Sequence, residues 1–429
     1  MSIASFKNLF FGGSTLSRRA AAAGRVLFAK SAALGVMEVI RTTVLARLVA
    51  PADYGLMALA MLVITLLESF STTGIDILIQ RDRGRLRDRL NAYWTIKAAR
   101  GVILAILACG LALPLEWYYG LPGLRLVVWA LALGFLFRGF SGFGAELCQR
   151  HLRFGQLARA EILAAATALA LGLAAAIWLR NVWALVLISL LSAAGTCAVS
   201  HLLFPWRPAL RWNPALLKTV SLFGGSVVAL NLCNYFFTSF DRGALGKLLG
   251  LESVGFYARA HFLALLPVLY FANILAPIFL PTFRRMAQDP LRLRRAFLKA
   301  FGIMIAAAGV FAIVFFLLAR PIILTVYGER WLPVLPLVRI LVIFGAAKAV
   351  SALFPSIFFL KNKPWMAIIP AALMAVGLAT FGLPLTHAYG AAGMAWAVTF
   401  SGLAANALAL ILVLVLLRHP PRTSPKTNA

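Results

Sequence analysis

Acidic residues are scarce in this chain. Of 429 residues only 13 are Asp or Glu, against 41 Lys or Arg, which leaves a formal net charge of +28. Charged residues of both signs make up 13% of the chain and apolar ones 62%, too little polarity to clothe a water-soluble domain of this length. Metal-ligating side chains are equally thin. Cys109, Cys148, Cys197 and Cys233 have no CxxC spacing, which argues against a disulfide framework and against a zinc site. His151, His201, His261, His387 and His419 are scattered and form no HxxxH pair. No cofactor and no metal are expected, and the short polar connections leave no room for an extramembrane catalytic domain.

What the chain has instead is oil. Apolar runs of about 20 residues recur along it, each long enough to cross about 30 Å of hydrocarbon as a helix. They lack the two-residue alternation of a barrel strand, and in lipid only helices or closed barrels satisfy their own backbone. The expected fold is therefore an all-α integral membrane protein of about twelve transmembrane helices. The spans fall at 24–50, 54–80, 92–115, 124–144, 161–179, 184–204, 219–241, 254–283, 300–319, 336–360, 366–386 and 390–417.

Basic residues collect at alternate connections. Arg81, Arg83, Arg85, Arg87 and Arg89 follow the second span, and Arg150, Arg153 and Arg159 follow the fourth. Arg284, Arg285, Arg292, Arg294, Arg295 and Lys299 follow the eighth. Retention of Lys and Arg on the cytoplasmic side explains this bias, places both termini in the cytoplasm and removes nucleic acid as a reason for the charge. The chain divides into a basic interfacial N-terminus (1–23), a six-helix lobe (24–204), a cytoplasmic linker (205–218), a second six-helix lobe (219–417) and a disordered tail (418–429).

The two lobes read as a parallel repeat. LARLVAPADYGLMALA (Leu45 to Ala60) lines up without gaps on LGKLLGLESVGFYARA (Leu245 to Ala260), with Leu45/Leu245, Leu48/Leu248, Gly55/Gly255, Ala58/Ala258 and Ala60/Ala260 identical. Both copies sit at the hairpin between the first two spans of a lobe. An even span count gives both lobes one orientation, an architecture used by carriers with a site between the halves.

Ionisable groups inside spans mark where the site belongs, because a charge at the bilayer centre costs about 2.5–3.5 kcal/mol unless water or a partner meets it. Lys30, Glu38 and Arg41 share one helix face: at about 100° per residue, Arg41 lies roughly 20° and Glu38 roughly 80° from Lys30. Lys30, Arg41, Arg100, Arg138 and Lys348 are the candidate lining of a cationic cavity. Glu38, Glu68, Asp76 and Asp241 are candidates for ion coupling or charge pairing, and Lys97 and Arg339 for snorkelling to an interface. An excess of Arg and Lys in a low-dielectric wall selects anions, phosphates above all. Trp94, Tyr235, Phe236, Phe237 and Tyr270 are available to stack on sugar faces.

The stretch LARLVAPADYGLMALAMLVITLLESFSTTGIDILIQ (Leu45 to Gln80) resembles the polysaccharide-transporter family of oligosaccharide flippases, within the multidrug/oligosaccharidyl-lipid/polysaccharide exporter superfamily. SFDRGALGKLLGLESVGFYARAHFLALLP (Ser239 to Pro267), with Gly255, Tyr257 and Ala260 at its turn, is similar to that family's second half. The resemblance implies a non-enzymatic carrier that moves undecaprenyl-pyrophosphate-linked oligosaccharide across a bacterial inner membrane by alternating access, for O-antigen or exopolysaccharide assembly. It implies lipid-linked oligosaccharide and membrane lipids as partners, and polymerase or other glycan-assembly proteins beside them. Two other readings remain: a membrane-embedded polymerase, ligase or glycosyltransferase, for which the outward loops offer little beyond Asp53, Glu116, Glu252 and Glu329, and a multidrug exporter of the same superfamily.

Overall fold

The computed structural model describes residues 15–71, 75, 78–79, 86–151, 153–206, 208–214, 216–217, 235–236, 239–266, 268, 279 and 282–418. Among them there is no strand. The helices are α1 (Thr15–Leu48), α2 (Pro51–Phe70), α3 (Leu86–Tyr119), α4 (Leu124–Phe140), α5 (Gly144–Arg150), α6 (Phe154–Leu179), α7 (Val182–Leu203), α8 (Leu251–Ala264), α9 (Pro290–Ile322), α10 (Val334–Val350), α11 (Phe354–Leu360) and α12 (Ile368–Arg418). The chain forms two compact units: Met1–Asp53 with Ala60–Ala229, and Tyr54–Leu59 with Leu230–Ala429. Within α2, Tyr54–Leu59 thus belong to the second unit and the residues on either side to the first.

Among the described residues seven helices are long and apolar enough to cross a membrane, or eight with α4 and α5 taken as one bent span. The difference from the expected dozen has three sources. Helix α1 carries Arg25, Lys30, Glu38, Arg41 and Arg47 and is too charged to count as a plain apolar span. Most of the seventh and eighth expected spans lies outside the described residues. The last two are merged in α12, which is broken at Gly390 (φ 61°, ψ −143°), a backbone conformation open to glycine almost alone. That break falls at the first residue of the expected 390–417.

In the first unit α1 packs on α6, α3 on α4, and α7 on both α4 and α6. Gly101 of α3 meets Gly139 of α4 so closely that a Cβ on Gly101 would lie 2.7 Å from the Phe135 carbonyl oxygen and 2.8 Å from the Gly139 Cα. Small residues let helix backbones approach in lipid, where burial of apolar surface gives no drive of its own. The exposed side chains of these helices are apolar, as at Phe28, Ile106, Leu163 and Leu171, because lipid is their solvent.

In the second unit α10 packs on α8, α9 and α12. The hairpin there repeats the one at the start of the chain. Helix α1 ends at Leu48 and α2 begins at Pro51; the helical stretch from 239 ends at 248 and α8 begins at Leu251. The aligned sequences break at the same two positions. Tyr54 and Gly55 dock on this second hairpin: a Cβ on Gly55 would fall 1.9 Å from the Leu251 carbonyl oxygen. The Tyr54 ring meets Trp331 edge-on at 5.2 Å, and the Arg259 guanidinium sits 4.0 Å above the Tyr54 ring. Trp331 is fully buried among Tyr54, Phe256 and Tyr327.

Candidate functional site

The fourth span is interrupted. Helix α4 stops at Phe140 and α5 restarts at Gly144 with a bend of 45°. Unwound backbone at membrane depth is tolerated only where its polar groups find protein or water, and here side chains of α3 and α7 supply them. The Phe140 carbonyl accepts from Trp94 Nε1 at 3.3 Å and lies 3.0 Å from His201 Nε2. The Gly142 carbonyl accepts from Lys97 Nζ at 3.4 Å, and the Gly142 N–H donates to Ser200 Oγ at 2.7 Å. Lys97 also lies 4.9 Å from the centre of the Phe143 ring. Trp94 therefore acts as a tie on the broken span.

A cavity of about 740 Å³ opens beside the interruption, inside the first unit. Glu68 of α2, Lys97 and Arg100 of α3, Arg138 of α4, Glu146 of α5 and Glu161 of α6 bring charge to its wall, and Ser141, Ser192, Thr196 and Ser200 bring hydroxyls. Arg138 is paired with Glu68, and Lys30 reaches from α1 to pair with Glu161. Arg100 Nη2 donates to Ser71 Oγ at 2.8 Å, at the C-terminal end of α2. Three basic and three acidic side chains line one hollow. Partnering of this kind keeps a desolvated charge tolerable.

The candidates from the sequence separate into groups. Arg100, Arg138 and Glu68 line the cavity, and Lys30 touches it through Glu161. Arg41 is paired with Glu38 at 2.6 Å along α1 and is not part of the lining. Lys348 belongs to the second unit, where it is exposed at the end of α10 and close enough to His261 to act on it electrostatically. Asp241, also in that unit, is fully buried, and its Oδ1 accepts from the Arg242 N–H at 2.8 Å. The Arg242 guanidinium approaches His261 Nδ1 at 3.5 Å, and fully buried Tyr257 faces Asp241. Asp76 lies outside the described residues, as do Phe237 and Tyr270. Phe236 stacks on Phe240 at 5.3 Å, and Arg339 sits 5.0 Å over Phe316.

Three wall residues were not assigned to a site from the sequence. Lys97, expected to snorkel, turns inward to the broken span. Glu161 was placed at the mouth of its span, but α6 begins at Phe154 and carries it two turns inside. Glu146 lies past an interruption hidden within the continuous run 124–144. The lining is consequently balanced in charge where a surplus of cations was expected. A signal for the break was present in Ser141-Gly142-Phe143-Gly144, two glycines within an apolar run.

Comparison with known proteins agrees with this architecture. The lipopolysaccharide biosynthesis protein WzxC of Escherichia coli (strain K12) is 23% identical over 334 residues, 76% of this chain and 67% of WzxC. The teichuronic acid biosynthesis protein TuaB of Bacillus subtilis (strain 168) is 25% identical over 310 residues, 71% of this chain and 64% of TuaB. The chain spans about two thirds of the length of these curated relatives. Among solved structures, an inward-facing multidrug-resistance MATE-family transporter of the MOP superfamily superposes with a TM-score of 0.72 at 16% identity, covering 91% of this chain and 96% of that one. The lipid II flippase MurJ, in an inward closed conformation, gives 0.69 at 12% identity, covering 92% and 89%. The fold is that of these helical membrane transporters. The profile of the polysaccharide biosynthesis protein family matches residues 44–336, more than half of the sequence and every wall of the cavity except Leu34, so the chain belongs to that family.

Proposed function

We propose that this protein is a flippase that carries polyprenyl-diphosphate-linked oligosaccharide from the cytoplasmic to the outer leaflet of a bacterial inner membrane, for surface polysaccharide assembly. The observation that carries the reading is the cavity of about 740 Å³ lined by Lys97, Arg100 and Arg138 within a chain of this family. The diphosphate displaces Glu68 from Arg138 and takes the guanidinium in a two-point hydrogen bond, while Arg100 offers a second one. The sugars occupy the wet part of the hollow and the polyprenyl tail stays in lipid. Glu68, released from its arginine, is the group that takes up a proton or cation before the carrier resets. Glu38, Asp76 and Asp241 remain candidates for that coupling, and Lys30, Arg41 and Lys348 for further contacts with the cargo. Both termini lie in the cytoplasm, where the basic connections are retained.

The test is flipping of a fluorescent short-chain polyprenyl-diphosphate disaccharide by the full chain in proteoliposomes. Arg138→Gln and Arg100→Gln each reduce the rate by at least about tenfold, the loss of one charge-assisted contact. Wild-type rates in both variants would remove these residues from the mechanism. The balanced charge of the wall favours one alternative, export of organic cations. Drug efflux by the wild type without flipping of the diphosphate probe would establish it instead.

A further inference from the structure

The second unit carries a concentration of positive charge that the cavity does not use. Arg284, Arg285, Arg292, Arg294, Arg295 and Lys299 lie in a short stretch whose one acidic residue is Asp289. All six cations are exposed. The Asp289 carboxylate is engaged as a helix cap, its Oδ1 accepting from the Arg292 N–H at 3.0 Å.

Helix geometry sets the depth of these groups. Helix α9 has 33 residues, about 50 Å at 1.5 Å per residue, whereas hydrocarbon is about 30 Å thick. The stretch 300–319, between Lys299 and Arg320, holds no charge, and its length of about 30 Å matches the hydrocarbon. Arg292, Arg294, Arg295 and Lys299 therefore stand in the headgroup layer, at the level of lipid phosphates. The helix cannot roll to hide them. Leu293 and Phe297 on its other side are locked in a core with Phe354, Ile357 and Val413. Leu291 and Leu298 are exposed among the cations, 65% and 42%, and offer apolar contact to acyl chains just below.

We propose that the exposed face of the first turns of α9, with Arg284 and Arg285, binds the headgroups of anionic phospholipids and holds a shell of them at this edge of the second unit. Lys and Arg clustered beside a membrane span attract anionic lipid by about 1 kcal/mol each, about fivefold in partitioning per cation. The six side chains are spread over an open surface rather than gathered around a hollow. That spacing suits several singly charged headgroups better than one diphosphate.

The experiment uses the purified full chain in mixed micelles holding equal phosphatidylglycerol and phosphatidylcholine, with retained lipids counted by native mass spectrometry. The wild type is expected to keep phosphatidylglycerol at least about tenfold over phosphatidylcholine. Arg292→Gln, Arg294→Gln, Arg295→Gln and Lys299→Gln combined bring the ratio near parity. Raising the salt concentration lowers the preference of the wild type as well, which keeps the test decisive if the combined variant fails to fold. Equal retention of the two lipids by the wild type, a preference that salt leaves unchanged, or an unaltered preference in a folded combined variant overturns the proposal. Undecaprenyl diphosphate added in equal amount distinguishes the other source of phosphate. If it displaces phosphatidylglycerol from the wild type, the face is a docking point for cargo and the assignment to bulk lipid falls.

Discussion

Arg138 and Glu68 meet at the cavity wall from different helices, and each helps to make the other tolerable in a membrane. Arg138→Gln leaves a carboxylate without its cation, and Glu68→Gln leaves a guanidinium without its anion. Breaking one partner of such a pair costs more than replacing both. Thermal unfolding in detergent should therefore show each single variant destabilised and the double variant destabilised by less than the sum. The expected coupling is about 0.5–3 kcal/mol, the range for residues in direct contact. Strict additivity would mean that the two charges are solvated separately. Lys30 and Glu161 form the same kind of bond between α1 and α6. In contrast Arg41 and Glu38 pair within one helix, three residues apart, and hold no second element in place.

Among the elements, α3 and α4 form the wall on which the cavity is hung. Gly101 and Gly139 permit their close approach, and both line the hollow. Gly139→Leu should force the helices apart at a cost of about 1–3 kcal/mol, read as a lower melting temperature. Gly110 of α3 has nothing within 4 Å of an added Cβ, so Gly110→Ala should leave the melting temperature unchanged or slightly raised. Helix propensity alone would raise the melting temperature of both variants, so a loss confined to Gly139→Leu isolates the packing. The broad pattern of elements was legible in the sequence, because apolar runs of bilayer length and alternating basic connections have one physical cause each. The hairpin repeat was legible in outline, with spans expected from 54 and 254 where the helices begin at Pro51 and Leu251. The interruption of the fourth span left only Gly142 and Gly144 as its trace, since Trp94, Lys97, Ser200 and His201 satisfy its backbone from far along the chain. Nor could one sequence tell that Glu146 and Glu161 would share a hollow with Arg100 and Arg138. That depends on where α6 starts and on how α4 bends.

At the scale of the whole molecule, the family match runs through both compact units, from residue 44 to residue 336. Tyr54 of α2 meets Trp331 within the second unit, and Glu68 of the same helix lines the cavity of the first. The uncharged run of α9, ended by Lys299 on one side and Arg320 on the other, has a further meaning at this scale. It is a ruler carried by the protein itself. A bilayer whose oily layer is near 30 Å meets both marks at once, whereas a thinner or thicker one tilts the helix or drags a cation below the surface, at a fraction of a kcal/mol per Å. Melting temperatures measured in vesicles of short, medium and long acyl chains should pass through a maximum at the medium length, and a flat profile would contradict this. A helix so graduated favours membranes of matching width over thinner or thicker ones.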